Sequence, residues 1–272
     1  MIHRLSALTV KLCLTALLSP LLLLAKPQRG INAADGTEFT EEVESTAILY
    51  IQDGLIAHWD GIENIGYGYH DSSATIWKNL VGTGDIDIYT QNAEWHGDAL
   101  YGKPREWASP SHNLALGTAT SIPDFAYTVE VVLRTADNIK QVLYQKGGWD
   151  STTKQHMYFC SNGSIQFARA TSGPSTGIAV SALPYAYHAA RTCSQDNSTV
   201  SVYLNGAVYT SPVYRGVSFG GAAQRFGCGA GNREDLAFPF VGEICAMRFY
   251  NRVLSDEEIA YNFGLDAERF GL

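Results

Sequence analysis

Residues 255–259 read Ser-Asp-Glu-Glu-Ile, and three consecutive carboxylates, Asp256, Glu257 and Glu258, could hold a metal ion or run acid/base chemistry. Their setting points to a helix start instead. Ser255 and Glu258 stand three apart, the capping-box spacing in which hydroxyl and carboxylate satisfy each other's orphan backbone N–H groups. Acids in a first turn also oppose the helix dipole. Ile259, Ala260 and Phe263 would form the apolar side of one short helix that Gly264 can close. Glycoside hydrolysis needs two carboxyl groups flanking the bond, and no Glu-x-Asp-x-x-Glu string sets two on one strand face. Glu130 stands alone in the apolar run YTVEVVLRT, where alternation makes it a solvent-facing strand position. Gly173 to Gly177, GPSTG, fits Gly-x-Ser-x-Gly, but that motif needs a following helix and a downstream histidine, and no histidine follows His188. It reads as a loop. The sequence has no His-Glu-x-x-His and no Gly-rich phosphate loop followed by Lys-Ser/Thr. The expectation is a protein without catalysis.

Binding chemistry finds better material. Calcium takes several carboxylate and carbonyl oxygens. Asp85 and Asp87 are two apart, so on a strand they share a face, while Asp60 and Asp71 bracket the Gly-rich stretch DGIENIGYGYHD with Glu63 and Asn64 between them. A structural calcium ion on Asp60, Asp71, Asp85 and Asp87 stands beside the reading that these loop acids are simply solvated. Sugar binding requires a flat aromatic face with planar polar groups around it. Trp59, Trp77 and Trp95 adjoin strand-like runs and read as core. Trp107, Trp149, Tyr67 and Tyr69 fall in polar loops, and Arg233 and Asp235 lie in the charged loop GAGNRED, which also reads as a solvated turn. These six residues form the candidate ligand-binding surface.

The elements that must position them emerge from composition and pattern. Residues 1–33 carry Arg4 and Lys11, an apolar stretch from Leu12 to Ala25 and then a polar segment, the plan of a secretory signal peptide. Pro20 interrupts that stretch, which is short for a bilayer, so a cleaved signal is favoured over a retained anchor, and no membrane insertion is expected after cleavage. Residues 34–47 hold five acids and no base, and read as an acidic, solvated linker. The full chain has net charge −8; loss of residues 1–33 removes four bases and leaves 15 against 27 acids, or −12. On that balance nucleic acid and anionic lipid are poor partners, and no nucleic-acid partner is expected. Cys160, Cys193, Cys228 and Cys245 could form two disulfides or remain buried thiols. From residue 48 to 272, short apolar or alternating runs are separated by Gly, Asn, Asp, Ser and Pro, and Asn162-Gly163 and Asn205-Gly206 suit type I′ hairpin turns. Many short strands with one helix predict an all-β, antiparallel two-sheet sandwich in one domain.

The runs YTVEVVLRT, YHAARTCSQDNSTVSVYLNGAVYTS and FVGEICAMRFYNRVLSDEEIAYNF together resemble the laminin-G-like, concanavalin A-like jelly-roll family, especially its bacterial secreted members. The closing motif, G-x-I-D-x-V-R-I-Y-N-R-A-L-S-x-x-E-I in that family, matches from Gly242 through Ile259, and its L-Y-V-N-G hairpin matches at Val202 to Gly206. The resemblance covers residues 54–272, with Cys245 where Asp is usual, Asn79 in place of the Asp after a tryptophan, and Tyr187-His188-Ala189 in place of Trp-His-His. The first two substitutions weaken an inherited cation site. The resemblance implies a jelly roll that is secreted or on the cell surface and binds glycan or a cell-surface protein. A structural or adhesive domain without a sugar ligand, or a glycosidase with dispersed carboxylates, are the alternatives.

Overall fold

The computed structural model describes, with side chains, residues 50–66, 68–88, 90, 93–103, 126–134, 186–192, 201–208 and 241–272, and the backbone of the strands outside them. The chain divides into two units, Met1–Ile48 and Leu49–Leu272. In the first, β1 (Lys26–Ile31) and β2 (Glu38–Val43) pair antiparallel.

The second unit is built on two antiparallel sheets. One runs in the order β13 (Thr176–Ala179), β12 (Ser164–Arg169), β11 (Gln155–Cys160), β10 (Gln141–Lys146), β17 (Gln224–Phe226), β8 (Ala115–Gly117), β5 (Ile86–Ile88) and β4 (Ile76–Trp77). The other runs β16 (Ala207–Ser211), β15 (Val200–Leu204), β14 (Ala186–Cys193), β9 (Tyr127–Arg134), β18 (Gly242–Tyr250), β7 (Ala99–Gly102) and β6 (Ala93–His96), with β3 (Leu55–Asp60) also on β18. The expected hairpin at Asn205-Gly206 forms: both residues have positive φ, 49° and 73°, as a type I′ turn demands. The register Cys160↔Ser164 leaves three residues in the other hairpin, whose turn lies outside the described residues. Strand β13 begins at Thr176, where a nucleophile elbow would need a helix, so the GPSTG stretch is no such elbow.

Period-two alternation puts Tyr127, Val129, Val131 and Leu133 of β9 on the face toward the other sheet, where they join Trp59, Trp77, Trp95, Ile86, Met247 and Phe249 in the main core. The three tryptophans expected in the core are there. On β18 the register slips between Ile244 and Ala246, so Cys245 is the extra residue of a bulge, which lets Ile244 and Met247 face the same way. Cys245 is a free, buried thiol, so the two-disulfide arrangement does not form, and burial pushes its ionisation well up.

α1 (Asp256–Phe270) lies on the opposite face of the second sheet. Its start is the expected one: Ser255 accepts from the Glu258 N–H, Glu258 accepts from the Ser255 N–H, and Arg252 forks onto the Glu258 carboxylate. Its end is not at Gly264. The helix runs on to a left-handed cap at Gly271, φ 68° and ψ 46°. The reason lies in the buried stripe, Ile259, Asn262, Asp266 and Phe270, which keeps helical spacing past Gly264 but is half polar and so invisible to an apolar pattern. No helix among the described residues is long and apolar enough to cross a membrane.

Candidate functional site

Because α1 covers the sheet, the outward side chains of β9 and β18 are not in water. Glu130, expected to face solvent, is 0% exposed. It stands directly opposite Arg248, itself 0% exposed, across the β9–β18 ladder. Arg248 Nε donates to Glu130 at 2.7 Å, and its two terminal nitrogens fork onto Asp266 of the helix. Asn262 Nδ2 donates to both Glu130 oxygens at 3.1 and 2.9 Å and lies 3.0 Å from the Tyr250 oxygen. The Tyr50 hydroxyl donates to Asp266 at 2.8 Å, and its ring lies 4.0 Å from the Arg248 guanidinium carbon. Burial alone would raise the Glu130 carboxyl; Arg248, with His188 beside it, holds its pKa down at about 2.

This clamp reaches the Gly-rich loop through the last turn of the helix. Arg269 pairs with Asp60 at the loop's root, donates to the Tyr50 oxygen at 2.9 Å, and comes within 3.5 Å of Glu63 inside the loop. Asp60 Oδ1 accepts the Ile62 N–H at 2.8 Å, and its carbonyl accepts Trp77 Nε1 at 3.0 Å. Here too burial opposes ionisation, and the His58 imidazole 3.6 Å away together with Arg269 holds the Asp60 pKa at about 2.

The loop joins β3 of one sheet to β4 of the other, so it turns over an end of the sandwich. Asn64, fully buried, is its hub: the side-chain amide exchanges two 2.8 Å bonds with the Asp71 backbone, and its carbonyl accepts the Lys78 N–H at 2.9 Å. Gly66 and Gly68 take φ of 86° and 77°, closing a bridge between Gly66 and Tyr69. Glu63 accepts the Gly68 N–H at 3.1 Å, and His70 bonds the Gly61 carbonyl at 2.7 Å. An edge-to-face ladder, Trp77 to Trp95 at 5.2 Å and Trp95 to His70 at 5.6 Å, ties the loop to the core. Outward, the loop presents Tyr69, 50% exposed, and Ile65, 38% exposed. An aromatic face on a backbone held from below by buried groups can stack on a sugar ring, with Glu63 and His70 as nearby planar polar partners.

Of the six residues expected to bind ligand, Tyr69 stands on this loop; Tyr67, Trp107, Trp149, Arg233 and Asp235 lie outside the described residues. The four acids expected at a calcium ion have separate surroundings. Asp60 is under Arg269; Asp71 accepts the Ser73 N–H at 2.8 Å and hydroxyl at 2.7 Å, which lowers its pKa; Asp85 accepts Lys78 Nζ at 2.6 Å and the Asn79 N–H at 3.0 Å. Asp87 is exposed on β5. Among the described residues, no group of three or more His, Cys, Asp or Glu gathers to hold a metal ion. Asn79 is engaged with backbone, accepting the His58 and Val81 N–H groups and donating to the Thr83 carbonyl. The acids at 256–258 serve the helix start, with Asp256 also accepting the Tyr203 hydroxyl at 2.8 Å. Sequence reasoning missed Arg248 and Arg269. The signal for the first was present, since two apolar strands, YTVEVVLR and GEICAMRFY, each carry a charge of opposite sign within the apolar run.

The sequence profile of the concanavalin A-like lectin/glucanases superfamily matches residues 109–260. The chain belongs to that superfamily. Residues 109–260 take in β8 through β18 and the start of α1; the loop and its flanking strands β3 and β4, which join the same two sheets, precede the match. No curated protein matches the sequence. Among solved structures, the Trypanosoma rangeli sialidase is similar at 16% identity and TM-score 0.55, covering 79% of this chain and 33% of that one. Its complex with sialic acid is similar at 15% identity and TM-score 0.54, again over 79% and 33%. The Ruminococcus gnavus IT-sialidase CBM40 bound to α2,3 sialyllactose is similar at 19% identity and TM-score 0.44, over 52% of this chain and 82% of that one. The chain spans about a third of the length of the sialidases, and at these identities the likeness is one of fold.

Proposed function

We propose that this superfamily member is a non-catalytic carbohydrate-recognition domain acting outside the cell, and that the Gly-rich loop carrying Tyr69 belongs to its glycan-facing surface. One observation carries the reading: a half-exposed tyrosine is presented by a loop whose anchors, Asp60 and Asn64, are wholly buried. Rigid presentation reduces the ordering cost of binding, which matters for a ligand as weakly held as a sugar. The superfamily fold supports the ligand class by association. The N-terminal signal plan supports an extracellular or cell-surface location.

The buried carboxylates Glu130 and Asp266 lend a glycosidase no support. Glu130 and Asp266 flank a common partner, as an acid and a nucleophile would flank a bond, but that partner is Arg248 and both are 0% exposed. In this reading calcium, if bound, is structural. The test is a comparison of Tyr69→Phe with Tyr69→Ala in glycan binding by the full chain. Retention with Phe and loss with Ala, at unchanged melting temperature, is expected. Equal binding by both variants would remove Tyr69 from the surface. Turnover of a polysaccharide by the purified protein would overturn the non-catalytic reading.

A further inference from the structure

A second aromatic surface stands on the other face of β6, away from Trp95 and the core. Glu94 and Tyr101 are direct cross-strand partners, as are Tyr101 and Glu243, so three side chains form a row across β6, β7 and β18. Two residues along β6 from Glu94, His96 shares that face. The last turn of α1 packs on Ala99, Val132, Cys245 and Ala246, and Arg134 Nη2 donates to the Phe270 carbonyl at 2.9 Å; Glu94 and His96 stay outside that cluster and exposed.

On this face the half-exposed His96 ring lies parallel to the partly buried Tyr101, with centroids 4.3 Å apart and an interplanar angle of 10°. His96 reaches Glu94 through Nε2 at 3.2 Å and Glu243 through Nδ1 at 3.6 Å, which fixes the imidazole plane from two sides. The rim offers acceptors and donors together: the Glu94 carboxylate, 48% exposed, is bonded to Lys103 Nζ at 2.6 Å, and Glu243 takes Arg134 at 3.3 Å. Nothing in the clamp or in the Gly-rich loop uses these groups.

We propose that the His96–Tyr101 stack is a saccharide-binding platform, separate from the Tyr69 loop, for an uncharged pyranose. The half-exposed His96 ring, backed by the partly buried Tyr101, gives the flat face that the C–H side of a sugar ring packs on, and carboxylate and ammonium groups at its edge suit vicinal hydroxyls. Charge selects the ligand. Glu94, Asp98 and Glu243 outnumber Lys103 and Arg134, and Arg134 is already forked onto Asp98 at 2.8 and 3.0 Å, so a carboxylated sugar is repelled.

The experiment tracks the His96 ring protons of the full chain by NMR while methyl glucoside, methyl galactoside or glucuronate is added. A saturable shift with at least one of the two neutral glycosides is expected, weakened about fivefold to tenfold in affinity by Tyr101→Ala and by Glu94→Gln. It should persist in Tyr69→Ala, and glucuronate should bind more weakly. No saturable shift with either glycoside up to ~100 mM, where a millimolar site would be filled, overturns the proposal. So does a shift unchanged in Tyr101→Ala, or one abolished by Tyr69→Ala. Because the readout sits on His96, it is decided whether or not the Tyr69 loop binds glycan.

Discussion

Arg248→Met is the substitution that strains the fold most informatively. It leaves the volume roughly filled and removes the guanidinium that Glu130 and Asp266 both contact, in a site where all three residues are 0% exposed. Removing one partner of a buried ion pair costs roughly 3–5 kcal/mol, because the other charge stays buried without compensation. Two carboxylates are stranded here, but neither is stripped bare: Glu130 keeps Asn262 and Asp266 keeps the Tyr50 hydroxyl. The expected loss is therefore about 4 kcal/mol, close to a thousandfold in the folding equilibrium. For a domain of this size that lowers Tm by roughly 8–16 °C. Urea unfolding at neutral pH, monitored by fluorescence of the buried Trp59 and Trp77, measures it. Adding Glu130→Leu and Asp266→Leu to Arg248→Met should restore most of the loss, since an apolar replacement of a whole buried ionic cluster is often neutral or stabilising. A loss under about 1 kcal/mol, or a triple variant no more stable than the single one, would refute the dry clamp under α1.

Acid should weaken the same clamp. The Glu130 pKa falls from 4.5 to about 2 on folding, so its contribution is fully present above about pH 4.5 and is lost as pH drops toward 2; Asp60 behaves alike from 3.8. Glu130→Gln should flatten the stability–pH slope over that window, which urea titrations at several pH values would reveal. Gly61→Ala would set a Cβ 1.9 Å from the Asp98 carbonyl oxygen, backbone against backbone, and is expected to cost at least ~2 kcal/mol and to speed amide exchange across residues 61–71. Ser255→Ala removes the N-cap acceptor, and a loss of about 1 kcal/mol in urea unfolding is expected, with fraying of the first turn of α1 visible as faster exchange there.

Local chemistry was legible wherever one rule governed a residue. Ser255 and Glu258 announced the helix start because a capping box needs only its own four residues, and Asn205-Gly206 announced a turn because few other residues accept two positive φ values. The sandwich and its core tryptophans emerged from alternation for the same reason. Misreadings arose where a second element changed the solvent. Alternation marked Glu130 as outward, and it is outward; what the pattern lacked was the helix lying on that face, contributed from as far along the chain as Asp266. The same omission ended α1 too early, because Asn262 and Asp266 look like surface positions until Glu130 and Arg248 are placed beneath them. In the site, the exposure of Tyr69 was readable from its polar, Gly-rich context. The tie from Arg269 to Asp60 was not, since those residues are 209 positions apart and meet only through the fold.

The central claim, glycan recognition by a surface that includes Tyr69, is tested most directly by a glycan array with the full chain, wild type beside Tyr69→Ala, run with calcium and again with chelator. Specific binding by the wild type that is lost in Tyr69→Ala at unchanged stability is the expected result, and loss with chelator would add a cation to the site. An array blank for the wild type under both conditions would contradict the account and transfer the domain to the adhesive, protein-binding class.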